Sequence, residues 1–333
     1  MYKLTVSVSP HIKDRTTVSS IMWGVVVALL PTVLWGVFYF QMGAVYLIST
    51  CVVTAVVMEA FFQKITGKII TVSDGSAFLT GLLLALILPP TFPLWAAALG
   101  AVVAVILGKQ LFGGLGYNIF NPALLGRAFL STAFPVLTTT WKVPRISTPQ
   151  LVARGDWTAF FIPDTVTQAT PLATVLPKFG ATGGGAISYF DLFVGRVSGC
   201  LGEVSAVALI VGAIYLVWRK YIDWRIPLSY IGTVVVVASF TSLFKSGWPS
   251  PLFHLLSGGL MLGALFMATD PVTSPITKKG RWIFGIGAGV LTISIRLLGG
   301  YPEGVMYSIL IMNAFTPLID RLMIPAPFGG KRR

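Results

Sequence analysis

Residues 20–40 run without a single charged side chain. About 20 mostly apolar residues in a helix span a hydrocarbon layer, whereas a soluble helix of that length needs a polar face. The rest of the chain is of the same kind. Hydrophobic residues make up 55% of the 333 and charged residues 11%, less than half of the roughly 25% that a water-facing surface carries; mean hydropathy is +0.83. That excludes a soluble enzyme, a disordered chain and a disulfide scaffold. Glycine (35) and proline (21) are plentiful, as where membrane helices pack closely or break.

Ten candidate spans follow, at roughly 20–40, 43–62, 76–90, 93–112, 118–136, 201–218, 226–244, 252–269, 282–299 and 303–323. The first is full length and is expected to stay as an anchor rather than be cleaved. The third is short and closes on Pro89-Pro90, and the fifth opens on Asn118 and Asn121-Pro122, so both are expected to be broken or tilted. With the N-terminus in the cytoplasm, sixteen Lys and Arg residues fall in inner segments, Lys109 among them, and only Lys245 in short outer ones. Long loops translocate whatever their charge, so the bias orients the chain with both ends cytoplasmic. The fold class expected is an all-α polytopic membrane protein of about ten transmembrane helices. It divides into a first five-helix half (1–136), a long extracytoplasmic loop (137–200) and a second five-helix half (201–333). Five spans per half makes any repeat an inverted one. Weak similarities support such a repeat: Gly113-Gly114 precede Asn121 and Arg127 as Gly299-Gly300 precede Asn313 and Arg321.

The net charge of +13 is that orientation signal, not a nucleic-acid stripe. Cys51, Cys200, His11 and His254 lack metal-ligand spacing, and no Gly-x-Gly-x-x-Gly follows a strand, so neither a metal site nor a nicotinamide site is expected. The long loop has room for polar structure. It contains Asp164-Thr165-Val166-Thr167-Gln168-Ala169-Thr170-Pro171, two hydroxyls around a small residue downstream of a carboxylate. On the residues alone this reads first as a turn with side-chain-to-backbone bonds, and second as a place where a hydroxyl is esterified.

Asp164, Thr167, Ala169 and Thr170 match the flavin-attachment motif Asp-x-x-(Ser/Thr)-Gly-Ala-Thr, with Gln168 where glycine is usual. With Ser73-Asp74-Gly75-Ser76, Pro89-Pro90 and Gly116-Tyr117-Asn118-Ile119-Phe120-Asn121-Pro122-Ala123, the chain resembles, over essentially its whole length, the Rnf D / Nqr B family of ion-translocating redox complexes. The resemblance implies an FMN esterified to Thr170 at the outer face and a second, non-covalent riboflavin within the membrane. It implies electron transfer between ferredoxin and NAD coupled to Na⁺ or H⁺ movement in an inner-membrane complex, in which flavin-bearing G-type, iron–sulfur B- and C-type and membrane A- and E-type subunits are the partners. A transporter or channel for a small solute would suit the same layout, and a scaffold subunit would leave Thr170 unmodified.

Ionisable groups inside spans are costly and often functional. Arg127 is expected either to pair with a carboxylate such as Glu59 or a helix carbonyl, or to contact flavin. Arg296, near the outer end of its span, is expected either to snorkel to water or to meet the FMN phosphate. Asn118 and Asn121 suit either capping of the fifth span or bonds to flavin ring edges. Glu203, Glu303 and Asp320 are expected to be solvated end residues.

Overall fold

A computed structural model describes residues 16–141, 171–172, 189–195, 197, 199–203, 205–244, 248–300 and 303–324. Asp164, Thr167, Ala169 and Thr170 lie outside the described residues. Every regular element among the described residues is helical. The first half comprises α1 (Val18–Phe40), α2 (Met42–Ile65), α3 (Ser76–Leu86), α4 (Leu94–Val105) and α5 (Pro122–Ala133), followed by the short α6 (Pro135–Thr139). After α7 (Tyr189–Val194), the second half comprises α8 (Ala206–Trp218), α9 (Arg225–Phe244), α10 (Pro251–Leu256), α11 (Leu260–Leu262), α12 (Lys278–Leu298) and α13 (Val305–Leu322). Five of these, α1, α2, α9, α12 and α13, are long and apolar enough to cross a membrane.

The breaks fall where local chemistry demands them. Pro89-Pro90 stops α3, while Asn121 starts α5, its side-chain oxygen accepting from the backbone N–H groups of Ala123 (3.1 Å) and Leu124 (3.4 Å) ahead of a proline at the first helical position. The eighth expected span is not one helix. It is α10, then Gly258-Gly259, then α11 running into a π turn over Gly263–Met267; Gly258 holds φ at +69°, a backbone that a side chain rarely tolerates. A second π turn, Ile106–Gln110, continues α4. The sixth span also starts later than its apolar run suggests, because Leu201–Glu203 form a 3-10 turn and Ser205 caps α8. Within the expected loop, α7 is a helical turn that the Thr-, Pro- and Gly-rich sequence did not announce.

The two halves share a packing order. α3 and α4 both lie on α2 and α5 lies on α4; α10 and α12 both lie on α9 and α13 lies on α12. Between halves, α1 packs on α8 and α5 on α13. Small residues make the close approaches: a Cβ on Gly81 would stand 2.7 Å from the Cys51 carbonyl oxygen. Hydroxyls bind the second half internally, with Tyr230 at 2.6 Å from Thr292 and 2.9 Å from Ser308, themselves 2.7 Å apart. In the connection before α9, Asp223 pairs with Arg225 (2.8 Å) and Arg281 (2.5 Å). Partial burial pushes that carboxyl up, but the Arg225 amide and the two guanidiniums outweigh it and hold the group below the usual carboxylate range. Leu172, two residues beyond Thr170 in sequence, is buried with Leu192 and Phe253.

Candidate functional site

Where α1, α3, α5 and α8 meet the α11 π turn, the packing leaves a pocket with an open mouth. Its wall is apolar for the most part (Met22, Val25, Leu83 and Phe266 among others) with a few polar groups: Thr80, Lys109, Asn118, Asn121 and Asp270. The two asparagines, equivalent by sequence, differ in use. Asn121 caps α5 through its oxygen, and its nitrogen donates to the Met267 carbonyl across the half-to-half boundary at 3.3 Å. Its backbone N–H donates to the Asn313 amide oxygen at 3.1 Å when that amide is turned to satisfy both neighbours. Asn118 donates to the Phe120 carbonyl (3.2 Å), but its buried side-chain oxygen has no partner. A buried acceptor without a donor is costly unless a ligand or water supplies one.

Lys109 is not a loop cation. The π turn carries it inward, its side chain 1% exposed, and its ammonium donates to both Glu59 oxygens (2.7 and 2.8 Å) and to Ser76 Oγ (2.5 Å). Glu59 is thereby engaged, and Arg127 has a different partner. It reaches Glu303 at 3.0 Å and donates to Cys200 Sγ at 3.1 Å. Glu303 also accepts from the Gly259 N–H (3.0 Å), and Glu203 from the Cys200 N–H (3.3 Å). Glu203 and Glu303, expected as solvated ends, are therefore drawn into a half-buried network, Glu303 held by Arg127 and the Gly259 N–H and Glu203 lying beside the same glycine. Asp320 accepts from the Ile276 N–H at 3.0 Å. Arg296 does not snorkel. It is fully buried and donates to the His254 carbonyl at 2.6 Å and the Ser257 carbonyl at 3.1 Å, satisfying the carbonyls that the broken span leaves free. A Cβ on Gly258 would lie 3.0 Å from a Glu303 oxygen and 3.2 Å from the Arg296 guanidinium.

Of the four described residues singled out from sequence, the structure thus brings Asn118 and Asn121 together on the cavity and places Arg127 and Arg296 in a separate charged cluster. Lys109 was missed because its partners are 33 and 50 residues away in sequence; the one local signal is that it is a lysine within an apolar run.

Residues 5–329 match the family described as the NQR2, RnfD, RnfE family. Similar proteins include the D subunit of the proton-translocating ferredoxin:NAD(+) oxidoreductase complex of Clostridium ljungdahlii, 47% identical over 98% of this chain and 97% of that one. The D subunit of the Na(+)-translocating ferredoxin:NAD(+) oxidoreductase complex of Acetobacterium woodii is 46% identical over 98% and 95%. The D subunit of the ion-translocating oxidoreductase complex of Stutzerimonas stutzeri is 40% identical over 96% and 94%.

Proposed function

The chain belongs to the NQR2, RnfD, RnfE family, and on that premise we propose that it is the D-type membrane subunit of an ion-translocating ferredoxin:NAD oxidoreductase, carrying electrons through bound flavin. Covalent FMN on Thr170 faces the outer side, and a non-covalent riboflavin occupies the cavity. The chain spans the inner membrane about ten times as an inverted five-plus-five repeat, with both termini cytoplasmic. The shared packing order of the halves and the pairing of α1 with α8 and α5 with α13 support that repeat. G-, B-, C-, A- and E-type subunits are its partners. The relatives at 47% and 46% identity are named for different ions, so identity does not choose between H⁺ and Na⁺.

The observation that carries the flavin reading is the unpartnered Asn118 oxygen beside a mostly apolar cavity. A flavin ring is flat, apolar at one end, and edged at the other with carbonyl acceptors and a ring N–H. Asn118 supplies an acceptor for such an N–H, Thr80 a hydroxyl, and the apolar wall excludes water. Bound flavin supplies the capacity to take and pass on electrons; the protein supplies its position and surroundings. In the loop, Thr170 supplies the esterified hydroxyl, Asp164, Thr167 and Ala169 form the recognition sequence, and the burial of Leu172 anchors the chain just past that threonine.

The test is optical. The purified protein is expected to be yellow, to fluoresce as a band on a denaturing gel, and to release a second flavin on denaturation. Thr170→Val is expected to abolish the fluorescent band and leave the released flavin. A band that survives the substitution overturns the Thr170 assignment, and a colourless wild-type protein favours solute transport.

A further inference from the structure

Among the described residues, two charged side chains stand on the cavity wall, Lys109 and Asp270, and they are held differently. Asp270 is tied into its own turn, accepting from the Val272 N–H (3.3 Å) and the Thr273 hydroxyl (3.2 Å), which spread its negative charge over local dipoles. Lys109 has all three ammonium donors engaged, two on Glu59 and one on Ser76. Glu59 is fully buried on α2 and is not part of the wall. The pair therefore sets the lysine at the cavity wall and its carboxylate partner behind it.

Several features hold that orientation. The π turn over Ile106–Gln110 sets the register that turns Lys109 inward. Ser76 Oγ, which accepts from Lys109, donates in turn to Asp74 at 2.5 Å. Gln63 donates to Glu59 at 3.2 Å and to the Thr71 hydroxyl at 2.9 Å, and accepts from the Thr71 N–H at 3.0 Å. The carboxylate thus has a fixed seat. A buried ion pair contributes little net stability compared with apolar residues of the same volume. Its presence on the wall of the cavity points to a use beyond stability.

We propose that Lys109, oriented by Glu59 and Ser76, raises the reduction potential of the redox group held in this cavity. The proposal rests on the flavin reading above. Each electron taken up adds negative charge to the bound group; in a mostly apolar site the nearby lysine stabilises that charge more than it would in solvent. The oxidised group, uncharged on its ring, gains much less. The difference favours the reduced form, and Glu59, being farther away, subtracts only part of it.

The experiment is a spectroelectrochemical titration of the non-covalent flavin in full-length protein carrying Thr170→Val, so that no covalent flavin overlaps. Lys109→Gln is expected to lower the midpoint potential, whether the orphaned Glu59 carboxylate keeps its charge or takes up a proton. Lys109→Met/Glu59→Gln removes both charges, leaves none buried without a partner, and is also expected to lower it. Lys109→Arg keeps the positive charge and is expected to hold the potential near the starting value. Neutral variants with full flavin content and an unmoved potential overturn the tuning role while leaving the flavin site standing. Starting protein that releases no flavin overturns the cavity reading and this inference with it.

Discussion

Arg127 shows how a charge is accommodated in the apolar interior. Its side chain is 10% exposed and its Glu303 partner 19%, so each neutralises the other where water contributes little. Removing one member of such a pair strands the other and typically costs about 3–5 kcal/mol. Arg127→Leu is accordingly expected to lower the thermal unfolding midpoint of the detergent-purified protein markedly, and Arg127→Leu/Glu303→Gln to recover most of the loss. A single substitution as stable as wild type would remove the pair from any structural role. That Arg127 needed a carboxylate was legible in the sequence; which carboxylate was not. Glu59 and Glu303 both lay near span ends. Only the packing of helices distant in sequence gave the first to Lys109 and the second to Arg127. For Asn118 and Asn121 the sequence allowed capping or ligand contact, and three-dimensional placement assigned capping to Asn121 and the free acceptor to Asn118.

At the scale of the helix, small residues and hydroxyls replace the hydrophobic effect, which has little to offer between surfaces already in lipid. Gly81 lets α3 approach α2 so closely that an added Cβ meets the Cys51 carbonyl oxygen at 2.7 Å, the Val52 Cα at 2.7 Å and the Cys51 carbonyl carbon at 2.9 Å. All three are backbone atoms and cannot swing aside. Gly81→Val is therefore expected to push α3 off α2 at a cost of about 1–3 kcal/mol or more, read as a lower unfolding midpoint and loss of non-covalent flavin, since Thr80 and Leu83 on the same helix line the cavity. Retention of both would mean that the approach is looser than this geometry. Two helix interruptions were legible, because Pro89-Pro90 and Asn121-Pro122 act through local backbone chemistry; the break at Gly258-Gly259 was hidden inside what read as one apolar span. The π turns were not legible: sliding a hydrogen bond from the fourth to the fifth residue leaves the apolar pattern almost unchanged.

For the molecule as a whole, sidedness decides which face meets which partner. Lys178→Cys is expected to react with a membrane-impermeant thiol reagent added to intact cells with a permeable outer membrane, and Lys278→Cys only after lysis. The opposite pattern would invert both the span count and the outer-face flavin. The background is low, since the chain's two cysteines, Cys51 and Cys200, are both buried. Charge bias gives the orientation that this labelling tests, whereas the mating of the halves was visible only as faint similarity around Asn121 and Asn313, which meet at the boundary between them. The Arg127–Glu303 bridge also sets an order of events during biogenesis. Lys109 meets Glu59 and Ser76 inside the first half, so that charge is matched as soon as four helices have been inserted. Arg127 waits 176 residues for its partner, roughly ten to thirty-five seconds at elongation rates of about 5–20 residues per second. Throughout that interval the guanidinium lacks its ion-pair partner, and the first half becomes electrically complete only when the last helix is in place.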